Sequence, residues 1–190
     1  MLCNHQATAY AQRPNKYAWV LSGGAGLPLQ ELITNQGIGF GANADFIYLL
    51  SKTVGLSFNT VYYSFAGKTT TASVQQQTQT IKTNSAGFVP ARAGLVLIVD
   101  NSFHGNKSTR VILDNSFRFN VSAGLAGILD DSFHPVASVS ILDNSFHTGF
   151  GYRAGIAKSI GRLDIAASSE GASISGANVG FTLVRAGIIS

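Results

Sequence analysis

The chain has 190 residues, of which 45% are hydrophobic and 12% are charged, whereas charged residues make up about 25% of a typical soluble domain. This composition excludes a disordered chain, and the length allows one domain or one barrel. Cys3 is the single cysteine, which excludes an internal disulfide framework, and the formal charge of +4 is scattered without the dense run of Lys or Arg that would indicate nucleic-acid binding.

Residues 1–15 form a segment separate from the predicted domain, which spans 16–190. Within this N-terminal segment, Ala9, Tyr10 and Ala11 resemble the small-x-small end of a secretory signal peptide. The apolar stretch that should precede such a site is missing, because residues 1–8 are polar. The segment is therefore either the remnant of an export signal, with the start truncated or misassigned, or a chance match.

No apolar stretch of the sequence is long enough for a membrane helix, which needs about 18 or more mostly apolar residues in a row. The longest apolar stretch, 17–29, is interrupted by Ser22, by several glycines and by Pro28. Strands must therefore carry the apolar content. The first strand, at about 16–29, is rich in glycine and apolar on both faces.

From residue 38 onward, apolar residues alternate with small or polar ones, and a period of two puts successive side chains on opposite faces of a strand. The apolar faces are Ile38, Phe40, Ala42, Ala44, Phe46, Tyr48 and Leu50; Val54, Leu56, Phe58 and Tyr62; Val89, Ala91, Ala93, Leu95, Leu97 and Val99; Phe117, Phe119, Val121, Ala123, Leu125 and Leu129; Phe150, Tyr152, Ala154 and Ile156; Leu163, Ile165 and Ala167; and Val179, Phe181 and Leu183.

Eight such segments run for about 10–14 residues, which suits a tilted transmembrane strand of about 9–11 residues better than a globular strand of about 5–6. The connections at 51–53 and 158–161 are short, whereas those at 67–87 and 170–176 are longer and polar, as in an outer-membrane barrel. We therefore predict an all-β fold, an antiparallel up-and-down transmembrane β-barrel of eight strands. If 103–113 and 133–142 are also strands, the barrel has ten.

A short motif, Asp-Asn-Ser-Phe or Asp-Asp-Ser-Phe, occurs four times, beginning at Asp100, Asp114, Asp130 and Asp143. Each copy follows an apolar run and precedes a new strand, so we interpret it as a tight turn. A hydrolase triad is the alternative, although triad members normally converge from distant segments and Arg118 replaces His in one copy. Binding of a ligand or ion by a rim of loops is a third interpretation.

If the apolar faces contact lipid, polar side chains on the opposite faces point into the barrel. The interior of an eight-stranded barrel is filled by side chains, so buried charges there need ion pairs and hydrogen bonds. We predict a structural polar plug; a conducting pore would need a wider barrel. The predicted inner side chains are Asn43, Asp45, Asn59, Arg92, Arg118, Asn120, Arg153 and Asp164. The aromatic residues predicted at the membrane interfaces or on the lipid-facing wall are Trp19, Tyr48, Tyr62, Tyr63 and Tyr152.

The C-terminal part of the chain carries a family pattern. Residues 149–155 (GFGYRAG) and 161–164 (GRLD), followed by a last hairpin, resemble the end of small OmpA-like outer-membrane β-barrel proteins of the type common in Bacteroidetes. The hairpin at 37–66 also fits that family. The resemblance implies a location in the cell outer membrane, with outer-membrane lipid as the partner of the apolar wall.

The leading functional hypothesis is a non-enzymatic outer-membrane barrel with a structural, anchoring or accessory role, which presents loops or docks to other proteins of a larger membrane assembly. We expect no cofactor, no metal site and no nucleic-acid partner, since no Cys/His cluster has the spacing of zinc ligands. One alternative is a lipid-modifying hydrolase that uses Ser102, Ser132 or Ser145 near the rim. Another is a soluble β-protein that self-assembles through strand edges.

Overall fold

The computed structural model describes residues 16–30, 36–74, 77–82, 85–99, 113, 115–130, 145–174 and 176–190. Their strands are β1 (Tyr17–Gln30), β2 (Gln36–Leu49), β3 (Val54–Gly67), β4 (Thr69–Val74), β5 (Gln77–Lys82), β6 (Ala86–Val99), β7 (Phe117–Asp130), β8 (Ser145–Ile160), β9 (Leu163–Ile174) and β10 (Ala177–Ile189). Within these ranges, no helix has the length and apolar character needed to cross a membrane.

Eight of the strands close into a barrel in the order β1-β10-β9-β8-β7-β6-β3-β2, and β4 and β5 form a separate two-stranded hairpin. Each strand is antiparallel to its neighbours, and β1 closes the barrel against β10 through eleven residue pairs from Val20–Ile189 to Gln30–Val179. Closure leaves no free edge on the barrel. The predicted eight-stranded antiparallel barrel is thus confirmed. The segments 103–112 and 133–142, on which the ten-strand alternative depended, lie outside the described residues.

The two ends of the barrel differ in their connections. At one end, here called the turn end, β2 joins β3 through residues 50–53 and β8 joins β9 through a turn containing Gly161 at a φ of 61°. The opposite end, the hairpin end, carries β4 and β5 and the tight turn containing Gly176 at a φ of 83°. A positive φ is accessible to glycine without steric cost, which allows such short turns.

Two of the predicted loops are wrong in part. The segment 170–176 was predicted as a longer polar loop, but β9 continues to Ile174 and β10 begins at Ala177, directly opposite it. The serines and glycines there are compatible with a barrel strand, because their small side chains leave room for neighbouring side chains. Similarly, the segment 67–87 contains the β4–β5 hairpin, paired from Thr69–Lys82 to Val74–Gln77. Its Thr residues favour an extended backbone.

Large apolar side chains cover the outer wall of the barrel. Along β7, for example, Val121 is 64% exposed and Leu125 is 73% exposed, while Ser122 between them is 3% exposed. An outer wall of this kind is suited to lipid, because exposing so much apolar surface to water would be unfavourable. The same alternation holds on β2, β3, β6 and β8.

Strand β10 and Tyr63 depart from the predicted orientation. Val179, Phe181 and Leu183 were assigned to the lipid-facing side, but all three are fully buried inside the barrel, and Val184 and Ile188 face outward instead. Tyr63, predicted at a membrane interface or on the outer wall, is also fully buried. The reason is that the interior of a narrow barrel must be filled, and at the hairpin end apolar side chains fill it.

The interior contains two apolar clusters, one at each end. At the hairpin end, Phe181 packs on Phe65 and Phe88 with ring centroids 5.0 and 4.8 Å apart. Gly39 makes room for Phe65, because a Cβ atom there would lie 2.5 Å from the ring. The turn-end cluster consists of Ala18, Val20, Ile47, Val96, Ile98, Leu113 and Ile189.

One copy of the repeated motif closes the turn end. Leu113 is fully buried in the turn-end cluster. Behind it, the Ser116 hydroxyl donates to the Leu113 carbonyl oxygen at 2.7 Å, and Asn115 has a φ of 53°. The described residues of this copy, Asn115 and Ser116, thus form a tight turn with Leu113 at the turn end of the barrel. Of the other motif positions, Asp130 is the last residue of β7, and Asp100, Asp114 and Asp143 lie outside the described residues.

Candidate functional site

A layer of buried charged side chains separates the two apolar clusters. We call it the charged layer; among the described residues it comprises Asp45, Arg92, Arg118, Arg153, Asp164, Glu170 and Arg185, each at most 6% exposed. These residues come from β2, β6, β7, β8, β9 and β10. All project inward because they alternate with the apolar residues of the outer wall.

Glu170 joins two of the arginines. The Arg92 Nη2 atom donates to Glu170 Oε2 at 2.5 Å, and Arg153 Nε lies 3.5 Å from Glu170 Oε1. The Ser168 hydroxyl also donates to Oε1, at 3.2 Å. All three charged side chains are at most 1% exposed. Such a carboxylate is well compensated, which a charge in a low-dielectric interior requires.

Asp45 forms the second centre of the layer. Arg153 Nη1 donates to Asp45 Oδ1 at 2.9 Å, and Arg185 Nη1 lies 3.3 Å from Oδ2. The Asn43 side-chain amide donates to Oδ2 at 2.8 Å. Arg153 therefore connects Asp45 to Glu170, so one network links strands β2, β8, β9 and β10.

A third ion pair lies nearer the turn end. Arg118 Nη2 contacts Asp164 Oδ1, and the Ser159 hydroxyl donates to the same oxygen at 3.1 Å. A cavity of about 20 Å³ adjoins this pair on the turn-end side of Asp45, which is room for about one water molecule. The cavity does not amount to a channel through the barrel.

Two asparagines extend the network to the serines of β3 and β7. Arg92 Nε donates to Asn59 Oδ1 at 3.0 Å, and the Asn59 amide donates to Ser122 at 3.0 Å. On the neighbouring level, the Asn120 amide donates to Ser57 at 2.9 Å. These bonds pair polar groups that lipid or apolar side chains could not satisfy.

The structure places all eight predicted inner side chains inside the barrel. Seven are buried and Asn120 is half-buried. Sequence reasoning missed Glu170, which fell in a predicted loop, and Arg185, which lies on the strand whose faces were assigned in reverse. Arg185 itself carried the signal, because an arginine in the middle of a transmembrane strand is far more stable facing inward.

The described serines inside the barrel contact residues of the network and backbone carbonyls. Ser168 and Ser159 donate to Glu170 and Asp164, and Ser122 accepts from Asn59. Of the serines predicted for the hydrolase alternative, Ser145 begins β8, and Ser102 and Ser132 lie outside the described residues.

No protein-family profile and no curated protein sequence matches the chain, but solved structures do. The N-terminal β-barrel domain of Pseudomonas aeruginosa OprF superposes with a TM-score of 0.55 at 12% identity, covering 93% of this chain and 98% of that one. Neisserial surface protein A gives 0.54 at 13% identity, with 91% and 94% covered. Ail, the attachment invasion locus protein of Yersinia pestis, gives 0.51 at 13% identity, with 93% and 99% covered. The chain thus has the fold of the small, eight-stranded, OmpA-like outer-membrane β-barrels.

Proposed function

We propose that the chain is a non-enzymatic β-barrel of the outer membrane, where it serves a structural, anchoring or accessory role. The observation that carries this proposal is the outer wall, on which large exposed apolar side chains alternate with buried, inward-facing ones on most strands. Lipid is the environment in which such a wall is stable. A soluble, self-assembling protein would instead leave much of this surface in water.

The filled interior supports a structural role over that of a channel. Two apolar clusters close the barrel on either side of the charged layer. Ions crossing the barrel would have to displace Phe181 at one end and Leu113 at the other, both of which are fully buried. We therefore propose that the barrel conducts neither ions nor solutes.

The asymmetry of the ends supports one orientation. Outer-membrane barrels have short periplasmic turns and longer extracellular loops, so we propose that the turn end faces the periplasm. The β4–β5 hairpin extends the hairpin end beyond β3 and β6. In this orientation it would be offered to the outside or to another protein of a larger membrane assembly.

Cell fractionation tests the location. The chain should sediment with outer membranes, resist extraction by salt and dissolve in detergent, and it should migrate differently on a gel before and after boiling, because a folded barrel resists the denaturant. Recovery as a soluble monomer without detergent would contradict the proposal. Reconstitution in a planar bilayer tests closure, for which we expect no unitary current steps; reproducible steps would identify a pore.

A further inference from the structure

The buried charges of the barrel do not balance. Four arginines (Arg92, Arg118, Arg153 and Arg185) face three carboxylates (Asp45, Asp164 and Glu170). Within the part of the chain that the structure describes, the interior therefore carries one excess positive charge. An uncompensated charge in a low-dielectric interior is strongly unfavourable.

The excess is localised by the hydrogen bonds. Arg92 uses all three of its nitrogens, on Asn59, on the Tyr152 carbonyl and on Glu170. Arg118 Nε and Nη1 and Arg185 Nε and Nη1 are buried without a hydrogen-bond partner, and of these four atoms only Arg185 Nη1 lies near a carboxylate, 3.3 Å from Asp45 Oδ2. Arg153 has one such atom, Nε, which lies 3.5 Å from Glu170 Oε1. Arg118 and Arg185 are 3% and 5% exposed, so bulk water does not satisfy them.

Both arginines line the same small cavity. The cavity of about 20 Å³ lies between the charged layer and the turn-end cluster, with Val20, Ile47 and Val96 forming its apolar side. Asp45 and Asp164 line it too, and each carboxylate already accepts from an arginine and from a second side chain. The open donors at the cavity therefore belong to the arginines.

We propose that this cavity binds one small monovalent anion, with chloride as the physiological example. The anion would accept from the free N–H groups of Arg118 and Arg185 and would neutralise the excess charge. A water molecule could accept the same hydrogen bonds, but it would leave the charge uncompensated. The space suits a single atom or water-sized species, which excludes larger anions such as gluconate.

Urea unfolding of the folded barrel in neutral detergent tests this site. Chloride replaces gluconate stepwise at constant ionic strength, so that general screening stays the same. If one chloride binds, the folding equilibrium constant should rise with chloride concentration. Once that concentration exceeds the dissociation constant for chloride, each tenfold increase in chloride should raise the folding equilibrium constant tenfold. Equal stability in chloride and gluconate would show that the cavity holds water only, and would overturn the proposal.

Two variants locate the effect. Arg185→Gln removes the excess charge and two donors, so its stability should no longer depend on chloride. Arg162 is an exposed arginine in the β8–β9 turn, so Arg162→Gln is the matched control, and its stability should retain the full dependence on chloride. Persistence of the chloride effect in Arg185→Gln would place binding elsewhere and contradict the assignment.

A second measurement needs no variant. In crystals grown in bromide, anomalous scattering should show one peak between the Arg118 and Arg185 side chains. A cavity without an anomalous peak would overturn the proposal even if Arg185→Gln fails to fold. Both experiments use the folded barrel in detergent, so they stand apart from the proposed location in the cell.

Discussion

Individual charges determine how the interior of this barrel is held together. Glu170 neutralises Arg92 and lies close to Arg153, so its removal leaves two arginines with weaker compensation. Arg185, in contrast, contributes to an existing excess of positive charge and shares Asp45 with Arg153. Both residues are buried, yet their substitution should have unequal effects.

We expect Glu170→Gln to lower the free energy of unfolding by about 3–5 kcal/mol, as is typical when one partner of a buried ion pair is removed. Urea unfolding in detergent measures this change. Arg185→Gln should cost less when no small anion is present, because it brings the buried charges into balance. Equal losses for the two variants in gluconate would contradict this description of the charged layer.

At the scale of the elements, the turn before β7 closes the turn end of the barrel by placing a side chain in the turn-end cluster. Leu113 is fully buried among side chains of β1, β2, β6 and β10. The turn itself is held by Ser116, whose carbonyl oxygen accepts from the Ser159 amide at 2.9 Å. A connection outside the barrel wall thereby contributes to the core.

Leu113→Ala should therefore destabilise the barrel by about 2–5 kcal/mol, the usual cost of removing a buried leucine side chain. Leu125→Ala provides the matched control, because Leu125 is 73% exposed on the outer wall and its removal opens no internal cavity. Both are measured by urea unfolding in the same detergent. Similar losses for both leucines would mean that Leu113 does not pack inside the barrel.

The elements also show how far the sequence predicts this structure. Over β8 and over part of β2, β3, β6 and β7, one face is apolar and the other polar or small, and lipid determines which face points outward. In the first half of β10 the apolar residues Val179, Phe181 and Leu183 face inward, so alternation there predicted the wrong orientation, and only Arg185 indicated the correct one. Glu170 was missed because its Ser- and Gly-rich surroundings are typical of a loop.

The inward polar residues of the candidate site were predictable from the alternation within single strands, but the contacts between them were not. A polar residue in an alternating strand is recognisable one strand at a time, as Asp45 and Arg92 were. The pairing of Arg92 with Glu170, 78 residues apart, depends on barrel closure and strand register, which a local pattern does not contain. Tyr63 shows the converse, since nothing local distinguishes an aromatic that fills the hairpin end from one that contacts lipid.

For the whole molecule, the outer wall and the filled interior together define a protein whose stability depends on lipid. An arginine placed on the outer wall near the middle of a strand should be unfavourable by about 2–4 kcal/mol, falling to about 0–1 kcal/mol near an interface. We expect Leu125→Arg to show the larger loss and Leu50→Arg, in the β2–β3 turn, the smaller. Unfolding from lipid vesicles measures both. Equal effects would contradict a membrane-spanning wall.

The central claim is that one set of side chains contacts lipid while the other fills a closed barrel. Methyl NMR of the protein in lipid nanodiscs tests it most directly, through nuclear Overhauser contacts between side-chain methyl groups and lipid acyl chains. We expect such contacts for Val121, Leu125 and Val184 on the outer wall, and none for Val179 or Leu183 inside. Acyl-chain contacts to Val179 and Leu183, or their absence at Leu125, would contradict the account.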